Sequence, residues 1–222
     1  MTPRARSLLL LVVCLAWCSG GSRTAAQEKK ESAKQKDAVL ANLKKADLTR
    51  ATLIETKNFL VATTLPREKA AALGALLEKV APLARKGAQL EEKEEPWKGR
   101  LAVYVLPENR DFKSFIRNVV VDQPGGAHVD LRSDNPLVVD PVELPGKATE
   151  ADQFANTATI VAGTYLTGKS GTAKLPAWLT DGFGRVTVYR AAPKASRVSV
   201  GASACRSSAE NCRNWPICTC TS

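Results

Sequence analysis

The sequence predicts a single α+β domain in which a small mixed sheet is packed by amphipathic helices. Three observations carry that expectation. Residues 100–106 alternate apolar side chains on both faces, Leu101, Val103 and Val105 one way and Ala102, Tyr104 and Leu106 the other, as in a strand covered on both sides. Leu73, Leu76, Leu77, Val80, Leu83 and Ala84 recur at helical spacing and mark a buried stripe. Strand and helix patterns succeed one another as strand, helix, strand, helix, hairpin, helix, helix, with no internal repeat and no coiled-coil heptad.

In chain order, residues 27–50 are rich in Lys, Glu, Gln and Ala and read as a charged linker or a loose helix. Thr52–Thr63 comes next as one strand, given its character by Leu53, Phe59 and Val61. A helix starts at Pro66, which is tolerated in a first turn because its missing N–H has no intrahelical partner there. Pro82 should kink that helix or end it early. The run Glu91, Glu92, Glu94 and Glu95 reads as a solvated loop. Asp111, Phe112, Phe115, Ile116, Val119 and Val120 mark a short amphipathic helix with an acid near its positive end. Ala127–Leu131 and Leu137–Asp140 are strands joined by the polar turn Arg132–Pro136. From Glu150 a helix is signalled by Thr149 as N-cap and Asp152 reaching back, with Ala151, Phe154, Ala155, Ala158, Val161, Ala162 and Tyr165 as its buried stripe. The loop Gly168–Gly171 leads to a last helix from Pro176 toward Tyr189.

Composition sets the class. With 44% hydrophobic and 24% charged residues, the chain is neither wholly disordered nor a polytopic membrane protein. The net charge of +10 comes largely from the ends: residues 1–26 hold Arg4, Arg6 and Arg23 without an acid, and residues 194–222 hold Lys194, Arg197, Arg206 and Arg213 against Glu210 alone. The body is close to balance, so nucleic acid is not an expected partner. Residues 1–26 read as a signal peptide. Arg4 and Arg6 precede the apolar run Leu8–Trp17, about half the roughly 20 residues a membrane span needs, and small residues end at Thr24-Ala25-Ala26. Export to periplasm, envelope or medium is therefore expected, with no membrane span after cleavage.

Four cysteines, Cys205, Cys212, Cys218 and Cys220, crowd into residues 196–222, and residues 27–204 hold none. Their spacing lacks the paired C-x2-C of common zinc sites. Two disulfides, a zinc site and a segment that is out of frame or decayed remain open readings of this Ser- and Cys-rich tail. The domain proper is placed at residues 51–195.

The block Leu175-Pro176-Ala177-Trp178-Leu179-Thr180-Asp181-Gly182-Phe183-Gly184, behind a strand ending Tyr104-Val105-Leu106-Pro107 and a helix carrying Asp111-Phe112, resembles the peptidase MA-like gluzincins, many of them secreted bacterial proteins. The resemblance spans about residues 52–190. It implies a gluzincin-like fold in which the helix before this block carries His-Glu-x-x-His and the acid of the block is the third zinc ligand. Two His one turn apart share a helix face, the Glu serves as base toward a zinc-bound water, and the third ligand leaves one position open for that water. Here that helix, Phe154–Leu166, has no His and no Glu, and Asp181 stands at the third-ligand position. Thr157 and Thr159 are weak oxygen donors, and His128 lies upstream in the hairpin.

The expected protein is therefore an exported pseudo-peptidase without catalytic residues, metal or cofactor, holding a peptide or another envelope component in the former cleft. Trp178, Asp181 and Tyr165 are the cleft candidates. Two readings stand beside it: a metal-dependent hydrolase whose site is atypical or completed by a partner chain, and a truncated remnant. Each candidate also has a plain structural role: Asp181 capping or ion-pairing within its helix, Trp178 and Leu179 packing the last helix on the one before, His128 as a hairpin residue. Ser170 lacks the G-x-S-x-G context of a nucleophile elbow.

Overall fold

In the computed structural model, residues 25–122, 126–141 and 149–193 are described. The signal peptide expectation, apart from its last two residues, and all four tail cysteines lie outside them. By contacts the chain divides between Lys34 and Gln35, and the larger unit, which holds the sheet, begins at Gln35.

The doubly apolar stretch around Val103 forms β3 (Leu101–Val105), buried at every position. It lies at the centre of a five-stranded sheet ordered β1-β2-β3-β5-β4, built with β1 (Thr52–Glu55), β2 (Phe59–Thr63), β4 (His128–Asp130) and β5 (Leu137–Asp140). The inner pairs β2–β3 and β3–β5 are parallel, and the outer pairs β1–β2 and β4–β5 are antiparallel. A mixed sheet of this kind needs cover on both faces at its parallel centre.

One face carries Phe59, Val61, Leu101, Val103, Val105 and Val138. It is covered by α2 (Arg67–Gly87), α4 (Glu150–Ser170) and α5 (Ala177–Ala191), through Leu73, Leu77 and Val80, Ala158, Val161 and Ala162, and Val188 respectively. The opposite face, with Leu60, Ala62, Tyr104 and Val139, is covered by residues 35–45 of α1 (Ala25–Lys45) and by α3 (Asn109–Phe115), which runs on into a π-helical turn, Ile116–Val120. Tyr104 stacks on Phe115 with ring centroids 4.3 Å apart, and its hydroxyl accepts from Asn42 Nδ2 at 3.1 Å. Burial pushes the Tyr104 phenol up to about 12.

Several expectations need correction. The domain starts before residue 51, because Val39, Leu43, Ala46 and Leu48 are buried against the sheet. Gln35 fixes the register of this segment: its Nε2 donates to the Lys98 carbonyl at 3.2 Å, and its Oε1 accepts from Arg100 N at 3.1 Å. The amide lies over Gly99, whose φ of +66° and lack of a side chain allow that approach. Thr52–Thr63 is two strands, since Thr56 Oγ1 accepts from Phe59 N at 3.1 Å while Glu78 accepts from Asn58 N and Nδ2, turning the chain between them. Helix α2 continues past Pro82 to Gly87; Pro82 is exposed, where water can serve the carbonyl it leaves unbonded. The acidic run is an exposed loop, as expected, and it is fastened by Arg85 donating to the carbonyls of Glu91, Glu92 and Glu94 and by Lys169 Nζ 2.6 Å from Glu94 Oε2. The Lys169 ammonium holds the Glu94 carboxyl below its ordinary range.

Candidate functional site

Helix α4 starts where its sequence demands. Thr149 Oγ1 accepts from Asp152 N at 3.3 Å and Asp152 Oδ2 accepts from Thr149 N at 2.8 Å, which satisfies two otherwise orphan donors. Its buried face differs from the expected stripe: Ala151 is exposed, and Thr157, Thr159 and Thr164 are buried. These hydroxyls find partners locally. Thr159 Oγ1 donates to the Ala155 carbonyl at 2.8 Å and Thr164 Oγ1 to the Val161 carbonyl at 2.6 Å. Thr157 Oγ1 donates to Asp140 Oδ2, at the end of β5, at 2.5 Å. Ser170 closes the helix by donating to the carbonyls of Thr167 and Ala173.

Helices α4 and α5 cross at glycines. A Cβ on Gly163 would stand 3.0 Å from the Thr180 carbonyl oxygen, and a Cβ on Gly184 would fall inside the van der Waals envelope of the Thr159 carbonyl. A metal caged between these helices would need side chains from both to span the gap, and here backbone meets backbone across the space of a missing methyl. Asp181 accepts from Arg185 Nε at 2.8 Å, one turn along its own helix. Among the described residues no three His, Cys, Asp or Glu side chains converge, and the donor set around Asp181 does not fit zinc.

The three cleft candidates do not come together. Tyr165 is only 2% exposed and sits edge-on to Trp97 at 4.6 Å in the core, where burial pushes its phenol well above the ordinary value. It lines no cleft. Trp178 is 74% exposed, so it does not pack the last helix onto the preceding one. Asp181 lies in the next turn, held by Arg185. His128 Nδ1 stands 3.8 Å from Asp122 Oδ2 in the hairpin.

The open feature lies beside the crossing. A groove of about 830 Å³ runs between β4 with its following turn (Val129, Arg132), the end of α4 (Thr167), the loop after it (Gly171, Lys174) and the first turn of α5 (Thr180). Among the described residues β4 is an edge strand, paired on one side only, with Val129 exposed. Asp130 Oδ1 accepts from the backbone N–H of Arg132 at 3.0 Å and of Ser133 at 3.3 Å, which fixes the turn. Arg132 Nη2 donates to the Gly171 carbonyl at 3.3 Å and ties the turn to the α4 exit loop. Such a groove offers unpaired strand backbone, apolar side chains and two cations, Arg132 and Lys174.

Thr180 lies in the block singled out in the sequence, but its meeting with Val129 and Arg132 does not show there, because these segments lie far apart in the chain. The glycines at the crossing do leave a signal. An interior helical Gly costs about 1 kcal/mol against Ala, so Gly163 and Gly184 in the middle of helical stretches mark close packing. The described residues include no helix long and apolar enough to cross a membrane. No known protein family, curated protein or solved structure matches the chain.

Proposed function

We propose that the protein is an exported, non-catalytic domain of gluzincin-like descent that holds an extended peptide, free or part of an envelope component, in the groove beside β4. The observation that carries this reading is the contrast within one pair of helices: the crossing at Gly163 and Gly184 is filled by backbone, while the groove next to it is open and bordered by an edge strand. An extended peptide laid on β4 would gain main-chain hydrogen bonds from the strand and side-chain contacts from Val129 and the α5 start. Arg132 and Lys174 favour acidic side chains in it.

The test is titration of the purified protein against a library of extended peptides, and then the same titration of Val129→Lys. A charge pointing outward from an edge strand blocks strand addition, so the substitution is expected to weaken binding at least about tenfold, near 1.4 kcal/mol, with little change in melting temperature. Binding that is unaffected by Val129→Lys would remove the groove from the account. Failure of every peptide would favour the remnant reading.

A further inference from the structure

The π-helical turn that ends α3 carries a second surface, independent of the groove. Arg110, Lys113 and Arg117 recur at i, i+3 and i+7 and are all exposed. With Asn109, Ser114 and Asn118 they border a shallow depression of about 590 Å³. Among the described residues none of the three cations makes an ion pair, whereas the acids of the element are engaged. Arg50 Nη2 lies 2.8 Å from Glu108 Oε1 and 2.7 Å from the buried Asp111 Oδ2. Asp122, just past the turn, stands 3.8 Å from His128 Nδ1. Ser114 Oγ donates to the Ala46 carbonyl at 2.9 Å, so the end of α1, with exposed Lys44 and Lys45 and with Asp47, adjoins the same surface.

Val121 terminates the stripe. It closes the π turn by donating its N–H to the Ile116 carbonyl at 2.8 Å, with φ +60° and ψ +46°, and is 78% exposed. A β-branched residue in the left-handed region is a strained choice that Gly or Asn would relieve. Its exposed side chain stands at the C-terminal end of the element that carries the three cations.

We infer that this surface docks on an anionic lipid bilayer, with Arg110, Lys113 and Arg117 against the headgroups and Val121 as a shallow apolar anchor. Charge complementarity and the apolar tip together favour lipid over nucleic acid. The aromatics of this element, Phe112 and Phe115, point into the core, so no stacking platform for bases accompanies the cations. Each basic side chain near an anionic surface contributes about fivefold in partition, so the three contribute on the order of 100-fold at low salt. Beyond a Debye length of about 10 Å at 0.1 M salt the attraction is screened.

Sedimentation of the protein, as recovered from an expressing host, with phosphatidylcholine vesicles containing phosphatidylglycerol, against pure phosphatidylcholine vesicles, tests the inference. The expected result is a salt-sensitive partition to the anionic vesicles alone. Joint replacement Arg110→Gln, Lys113→Gln and Arg117→Gln should lower it on the order of 100-fold with the melting temperature retained. Val121→Gly should weaken it while raising the melting temperature, because it relieves the strained backbone; a purely structural Val121 would change stability alone. Equal partition of the triple variant, or no preference for phosphatidylglycerol, overturns the inference. Binding to duplex DNA that the triple variant loses, without vesicle binding, overturns it in favour of a nucleic acid.

Discussion

The α4–α5 crossing and the β4 groove are built from the same two helices, yet one is closed to the limit that glycine allows and the other is open. At the crossing, Gly163 faces the Thr180 backbone and Gly184 faces the Thr159 backbone. A few residues away, the α4 exit loop and the first turn of α5 part from β4 and leave the groove. Backbone packing thus fills the crossing, and the accessible feature beside it is the groove along β4.

The most severe perturbation of the closed side is Gly184→Ala. The added methyl meets Thr159 backbone, which cannot move aside as a flexible side chain would, so a loss of about 1 to 3 kcal/mol is expected in thermal or denaturant unfolding. Gly182→Ala is its control. A Cβ at Gly182 meets nothing within 4 Å, and helix propensity then favours Ala by up to about 1 kcal/mol, so stability should rise. Equal effects of the two substitutions would mean that the crossing is not close.

Asp181→Asn probes the same contrast from the other direction. If the carboxylate serves only the exposed pair with Arg185, its removal costs about 0.3 to 0.5 kcal/mol and leaves peptide binding as it was. A loss several times larger would show that Asp181 supports something beyond its own helix. The smallest effect is expected at the tail. Removing residues 196–222 should leave the melting temperature nearly unchanged, because the segment offers no periodic apolar face. Two structural disulfides would each contribute about 2 to 4 kcal/mol, so a large drop on deletion or on reduction would make the tail part of the domain.

Legibility in the sequence tracks how local each signal is. The doubly apolar pattern of Leu101–Leu106 is complete within one strand, and the Thr149–Asp152 cap is complete within one turn; both appear as expected. The α1 contact was not legible, because Val39, Leu43 and Ala46 form a narrow stripe within a Lys- and Glu-rich segment whose average character is polar. The break between β1 and β2 was not legible either. It depends on Glu78, 20 residues away, accepting from Asn58, in a turn without Gly or Pro. The groove is a tertiary product: Val129 and Arg132 meet Thr167, Lys174 and Thr180 only after β4 has been placed at the sheet edge. Trp178, by contrast, stood out by its motif and by its size, and neither property says which way a side chain in a first helical turn will face.

A metal-free α4–α5 crossing is the core of the non-catalytic proposal, and elemental analysis of a chain ending at Ala195, after dialysis, addresses it directly, since that chain lacks the tail thiols. Helix α4 offers no imidazole and Asp181 one carboxylate, where a catalytic zinc site needs three protein ligands and a water. Zinc well below one per chain, unchanged by Asp181→Ala, is the predicted result. Stoichiometric zinc that disappears on Asp181→Ala would contradict it and return the metal-dependent hydrolase to first place.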